Sequence, residues 1–179
     1  MNTDLYRILN SSLRNESWVE LDKLLPYAFC LCKAFFNLKL NTSSVQDIQT
    51  LESQNLSSIF LYRGTTFDKF SLNLYNKEKV QYFSWNSVTS TSTNRKKAED
   101  FMYSNADIRN KKYPVMFVIE IPLTTEFKSE YLQWIDIHQY SAIPDEDEVV
   151  LAPGSVFELV EVTTDQDEKT TIKIKLRNE

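Results

Sequence analysis

At 179 residues, with 42% hydrophobic, 25% charged and 13% aromatic residues, the chain has the composition of a folded globular protein long enough to bury a core within one domain. A formal net charge of −5, with Lys and Arg scattered along the chain, argues against a general nucleic-acid binder, because phosphate backbones are gripped by clustered cations. No run approaches the roughly 20 apolar residues that span a bilayer, and the first residues carry no signal-peptide pattern, so a cytoplasmic protein, or one secreted without a visible leader, is expected.

Leu5, Ile8, Leu9 and Leu13 recur at helical spacing behind Thr3, a suitable N-cap, and predict a short helix over residues 4–14. Ser17-Trp18-Val19-Glu20 matches a capping box. The apolar face that follows, from Leu21 through Leu24, Leu25, Ala28, Phe29 and Leu31 to Phe35 and Phe36, predicts a second helix that Pro26 divides or kinks. Residues 41–58 are polar and aperiodic and read as a linker with room for one short helix.

The pattern then becomes β-branched and aromatic. Strands are expected at 59–62, ending at Arg63-Gly64, and at 80–84, 88–92, 115–121, 131–137, 146–151, 155–162 and 170–176. One helix, from about Arg95 to Tyr103 and capped by Thr93 or Asn94, interrupts them. Helices followed by short strands, without β-α-β alternation, indicate an α+β fold.

Three residue types limit the chemistry. Gly64 and Gly154 are the only glycines, which excludes both the GxGxxG turn and the P-loop. Cys30 and Cys32 are the only cysteines and read as small buried hydrophobes, not as a disulfide framework. With His138 the sole histidine, no metal site is expected.

Three sparse motifs remain, in the order Tyr62-Arg63-Gly64, Ser90-Thr91-Ser92 and Glu146-Asp147-Glu148. An arginine fork can pair with a pyrophosphate. A serine hydroxyl can hold a carboxylate, and a carboxylate can stabilise a ribosyl cation. On a strand, Ser90 and Ser92 share one face and Thr91 packs on the other. If 146–151 is a strand, Glu146 and Glu148 project from one face about 7 Å apart along the backbone. Each motif alone has a plainer reading: a surface arginine, an edge strand, a solvated acidic turn. Phe101 is either a core aromatic or a platform for a flat ring.

Taken together, the three motifs resemble those of the R-S-E class of mono-ADP-ribosyltransferases, which includes arginine-specific ectoenzymes and clostridial binary toxins. Phe83-Ser84-Trp85-Asn86-Ser87, Asn94-Arg95-Lys96-Lys97-Ala98 and the stretch from Glu148 to Phe157 are similar to invertebrate members. The resemblance implies one catalytic domain over 1–179, with a helical part (1–45) and a β-rich core (59–179) of two mixed sheets around an NAD cleft. By the same resemblance, Arg63 holds the NAD phosphates, Gly64 contacts the nicotinamide carboxamide through its backbone, Ser90 orients Glu148, Thr91 belongs to the NAD-binding strand, and Phe101 stacks near nicotinamide. Glu148 binds the nicotinamide ribose and stabilises its cation. Glu146, the first residue of Glu-x-Glu, implies transfer to arginine.

The partners so implied are NAD, consumed as a substrate without a metal, and an arginine-bearing acceptor protein, with the enzyme a monomer. Two positions depart from relatives: Ile143, where toxins often place an aromatic, and Thr89, where a larger apolar residue is common. An NAD glycohydrolase and a noncatalytic NAD-binding or protein-interaction module are the competing readings.

Overall fold

The computed structural model describes residues 3–41, 57–122, 134–136 and 147–177. Helices α1 (Thr3–Arg14) and α2 (Trp18–Asn41) lead into strand β1 (Ser58–Phe67). A short helix α3 (Lys69–Asn73) precedes β2 (Tyr82–Trp85) and β3 (Thr89–Ser92), then comes α4 (Arg95–Asn105). The chain continues through β4 (Tyr113–Pro122), β5 (Trp134–Asp136), β6 (Glu148–Leu151), β7 (Ser155–Thr164) and β8 (Thr170–Arg177). The α+β expectation holds.

The strands form one sheet in the order β2-β7-β8-β4-β1-β3-β6-β5, so the expected two sheets are hydrogen-bonded into one. The joint is narrow. β1 pairs with β4 over ten positions but with β3 only at Tyr62↔Ser92. Leu61, Phe117, Ile119, Phe157, Leu159, Ile172, Ile174 and Leu176 are buried in the main core, which Trp134, Val149 and Leu151 continue past the joint. Tyr75, Phe83, Trp85 and Phe67 close it with stacked and edge-to-face rings.

Several expectations are corrected. β1 does not end at Arg63-Gly64: it runs on to Phe67, because Thr65, Thr66 and Phe67 continue the ladder with Val115, Pro114 and Tyr113. Pro26 lies inside an unbroken α2. The capping box is not made, because the Glu20 carboxylate accepts the Ser12 hydroxyl (2.8 Å) and the Ser17 N–H goes to the Ser12 carbonyl (3.0 Å). Among the described side chains of α2, Leu21, Leu24, Ala28 and Leu31 are half-buried while Leu25, Phe29 and Cys30 are exposed; the side chains of Cys32, Phe35 and Phe36 lie outside the described residues. Cys30 is therefore not a buried hydrophobe. Most of the linker reading, residues 42–56, falls outside the described residues.

Candidate active site

The narrow joint between β1 and β3 is where the motifs meet. Tyr62, Arg63, Gly64, Ser90, Thr91, Ser92, Lys97, Ala98, Phe101 and Glu148 line one cleft of about 220 Å³. Residues drawn from 62 to 148 in sequence thus converge on a single concavity. Every site residue proposed from sequence lines it except Glu146, which lies outside the described residues. Lys97 and Ser92 also line it, and the sequence had given Lys97 no role in the site.

Each wall has a local cause. Arg63 leaves the middle of β1 and donates from Nη1 to the Ser90 carbonyl (2.7 Å), bridging the two strands beside their single paired position. Ser90 is half-buried and pairs in register with Val150, whereas Ser92 stands directly opposite Glu148. Thr91 faces inward and donates its hydroxyl to the Val149 carbonyl (2.7 Å), which fastens β3 to β6. Thr91 packs inward as expected, but Ser92 is buried as well, so burial along β3 does not simply alternate.

Gly64 has a structural reason to be glycine. A Cβ there would lie 1.8 Å from the Ala98 carbonyl oxygen and 2.8 Å from the Met102 nitrogen. The missing side chain lets α4 pack backbone to backbone against β1, with Ala98, Met102 and Met116 buried between them. Contact with Ala98 places the neighbouring Lys97, and Phe101 one turn on, over the cleft. Phe101 is 54% exposed, so it is not a core aromatic. Lys169, from the β7–β8 turn, reaches Glu99 on this helix (3.6 Å).

The third motif departs from a simple strand. β6 begins at Glu148, and Asp147 has a left-handed backbone, φ 47°. Glu146, expected on the same face as Glu148, lies outside the described residues. β3 is also hung from the helical part. Asn10, buried on α1, donates its amide to the Val88 carbonyl and accepts the Val88 N–H, both at 3.1 Å.

The Arg63 charge is felt beyond the cleft: burial pushes the Tyr75 phenol up, partly opposed by the Trp85 N–H and by Arg63. A larger open groove, about 1080 Å³, lies between α3 and the β7–β8 hairpin. Its lysines are already engaged: Lys77 with the Val160 carbonyl (2.6 Å), Lys173 with Glu161 (2.6 Å) and Lys69 over the Tyr113 ring. None of the three motifs reaches that groove, so the smaller cleft is the candidate site.

The profile of the family described as NAD:arginine ADP-ribosyltransferase matches residues 1–179. The chain belongs to this family. Its fold is that of solved ADP-ribosyltransferases. The Vis enzyme of Vibrio splendidus, in complex with an inhibitor, is 20% identical with a TM-score of 0.55, over 97% of this chain and 67% of Vis. The eukaryotic mono-ADP-ribosyltransferase ART2.2 is 17% identical with a TM-score of 0.54, over 99% of this chain and 61% of ART2.2. HopU1 of Pseudomonas syringae pv. Tomato is 18% identical with a TM-score of 0.52, over 67% of this chain and 46% of HopU1. The chain thus spans about half to two-thirds of the length of these relatives. No curated protein matches it. Among the described residues there is no metal-binding cluster and no helix long and apolar enough to cross a membrane.

Proposed function

We propose that this family member cleaves NAD and transfers ADP-ribose to an arginine of an acceptor protein, releasing nicotinamide, with residues 1–179 acting as one catalytic domain. The observation that carries this reading is the convergence of Arg63, Ser90, Phe101 and Glu148 on one cleft. At about 220 Å³ the cleft falls below the roughly 300–1,000 Å³ of pockets that enclose drug-sized ligands. It therefore suits the nicotinamide-ribose end, with the rest of the dinucleotide leaving along its open side.

Arg63 offers the pyrophosphate a planar fork, and Lys97 adds a second positive charge from the helix wall. Phe101 supplies a half-exposed ring for nicotinamide to stack on, beside the Gly64 backbone. Thr91 contributes through the strand it fixes. As the glycosidic bond breaks, positive charge grows on the ribose, and a carboxylate already in place lowers the barrier. Glu148 takes that role, oriented by the hydroxyls of β3, Ser90 and Ser92. The arginine acceptor, protonated at any ordinary pH, gives up its proton only as the new bond forms; Glu146 is assigned to attract it and take that proton.

Incubation with NAD, with and without agmatine, tests the reading. The expected products are nicotinamide and ADP-ribosyl-agmatine. Nicotinamide release that ignores agmatine, with no ADP-ribosyl-agmatine, would make the protein a glycohydrolase, and no NAD consumption would remove the reading. Glu148→Gln is expected to lower both transfer and hydrolysis by at least about 100-fold. Glu146→Gln is expected to abolish transfer while leaving hydrolysis, and equal loss of both would refute its assigned role.

A further inference from the structure

Asn94 works with both ends of its amide. Oδ1 accepts the Lys96 N–H (3.1 Å) and the Lys97 N–H (3.4 Å), capping α4. That use fixes the orientation of the amide and leaves Nδ2 to donate, which it does to Asp147 Oδ2 at 3.5 Å. One residue earlier, the Thr93 N–H donates to the Asp147 carbonyl (3.2 Å). The Asn94 N–H in turn donates to the Ser92 hydroxyl (2.9 Å), and Ser92 stands opposite Glu148 across the β3–β6 ladder. The contacts close a ring: Ser92, Asn94, Asp147, Glu148 and back to Ser92.

This ring joins the two walls of the cleft. α4 carries Lys97 and Phe101, and β6 carries Glu148. Asp147 is the residue immediately before Glu148, and it is held through both main chain and side chain. Its φ of 47° is a conformation that Asp and Asn adopt more readily than other residues bearing a side chain. An aspartate would cap α4 as well as asparagine does, but it has no N–H to offer a facing carboxylate. The amide at position 94 is therefore chosen by Asp147 and not by the helix.

We propose that Asn94 and Asp147 are paired positioning residues that lock the helix wall of the cleft to the strand presenting Glu148, so that the carboxylate and the Phe101 ring keep one separation. The pairing rests on the proposed NAD chemistry for its consequence in turnover, but not for its consequence in structure.

Asn94→Asp separates the pairing from helix capping, because the cap survives while two carboxylates are brought face to face. The expected result is a fall of about tenfold or more in kcat for nicotinamide release, with KM for NAD changed by less than about threefold. Asp147→Asn keeps both the left-handed backbone and an acceptor for Asn94, and is expected to stay within about threefold of the parent enzyme. The double variant Asn94→Asp/Asp147→Asn reverses donor and acceptor and is expected to return kcat to within about threefold of the parent. Parental kcat in Asn94→Asp, or a double variant no better than Asn94→Asp, would overturn the proposal.

Amide hydrogen exchange gives a second readout that needs no turnover. The Thr93 N–H is expected to exchange about tenfold faster in Asn94→Asp and to recover in the double variant, while the capped Lys97 N–H stays as in the parent. An unmoved Thr93 amide would sink the pairing. A parent protein that does not consume NAD, with the exchange pattern as expected, would instead sink the functional reading and leave the pairing standing.

Discussion

The two sides of the sheet share one core but differ in strand length and in how many polar contacts fix them. In β1, β4, β7 and β8 the strands are eight to ten residues long, and their alternating side chains bury a continuous apolar core. In β3, β5 and β6 they are three or four residues long, and β3 is Thr-Ser-Thr-Ser. There the geometry depends on a few polar contacts: Asn10 on Val88, Thr91 on Val149, Arg63 on the Ser90 carbonyl, Asn94 on Asp147. Trp134, Val149 and Leu151 carry that core on under β5 and β6, but the cleft there is a set of hydroxyls and charges whose positions a handful of directional bonds fix. Such bonds add little net stability but cost much when one partner is lost in a buried site.

Substitutions on either side should therefore fail differently. The largest loss of stability is expected from Phe117→Ala, which removes a fully buried ring at the centre of the aromatic cluster and should cost about 3–5 kcal/mol in a denaturant titration. Activity should follow the folded fraction and no more. Asn10→Ala should cost less, about 1–3 kcal/mol, for removing the two hydrogen bonds that Asn10 makes to the Val88 main chain. Its effect on NAD turnover should nevertheless exceed what the folded fraction explains, because β3 loses its tie to α1. If Asn10→Ala and Phe117→Ala lowered activity only in proportion to stability, the contrast between the two sides would be lost.

The smallest expected change in stability is that of Lys97→Met, which keeps a good helix former at a half-buried position. The proposed loss is in NAD binding alone: KM raised about tenfold with kcat within about twofold, as expected when a charge is removed from phosphate recognition but not from the bond-breaking step. Lys97→Arg should restore most of it. Inhibition by nicotinamide, which has no phosphate, should be unchanged, and an equal shift there would mean that the helix itself had moved.

The scaffold was legible because its signals are local. β-branched and aromatic runs produced β4, β7 and β8 within two residues of their observed ends, and Thr93 or Asn94 marked the start of α4 as a side chain able to accept first-turn N–H groups, a role that Asn94 takes. Other local readings failed where tertiary partners competed. Glu20 gave up its capping box to the Ser12 hydroxyl. β1 continued through Arg63-Gly64 because β4 was there to pair with it. Gly64, read as an opening for a ligand, is also required by the Ala98 carbonyl packed against it.

The sequence by itself determined which chemical groups this protein possesses and the order in which they occur: a fork of arginine, a strand of hydroxyls, a pair of carboxylates, with too few glycines and histidines for other nucleotide or metal chemistry. It also determined that helices precede strands, since periodicity is a property of neighbours along the chain. Only the tertiary structure decided that Lys97 faces the same cleft as Arg63, that Ser92 and not Ser90 stands opposite Glu148, and that Asp147 turns the chain left-handed just before it. Those facts arise from register and close approach between segments up to 86 positions apart, from Tyr62 to Glu148, and free energies of contact at such separations leave no periodic trace in the order of residues.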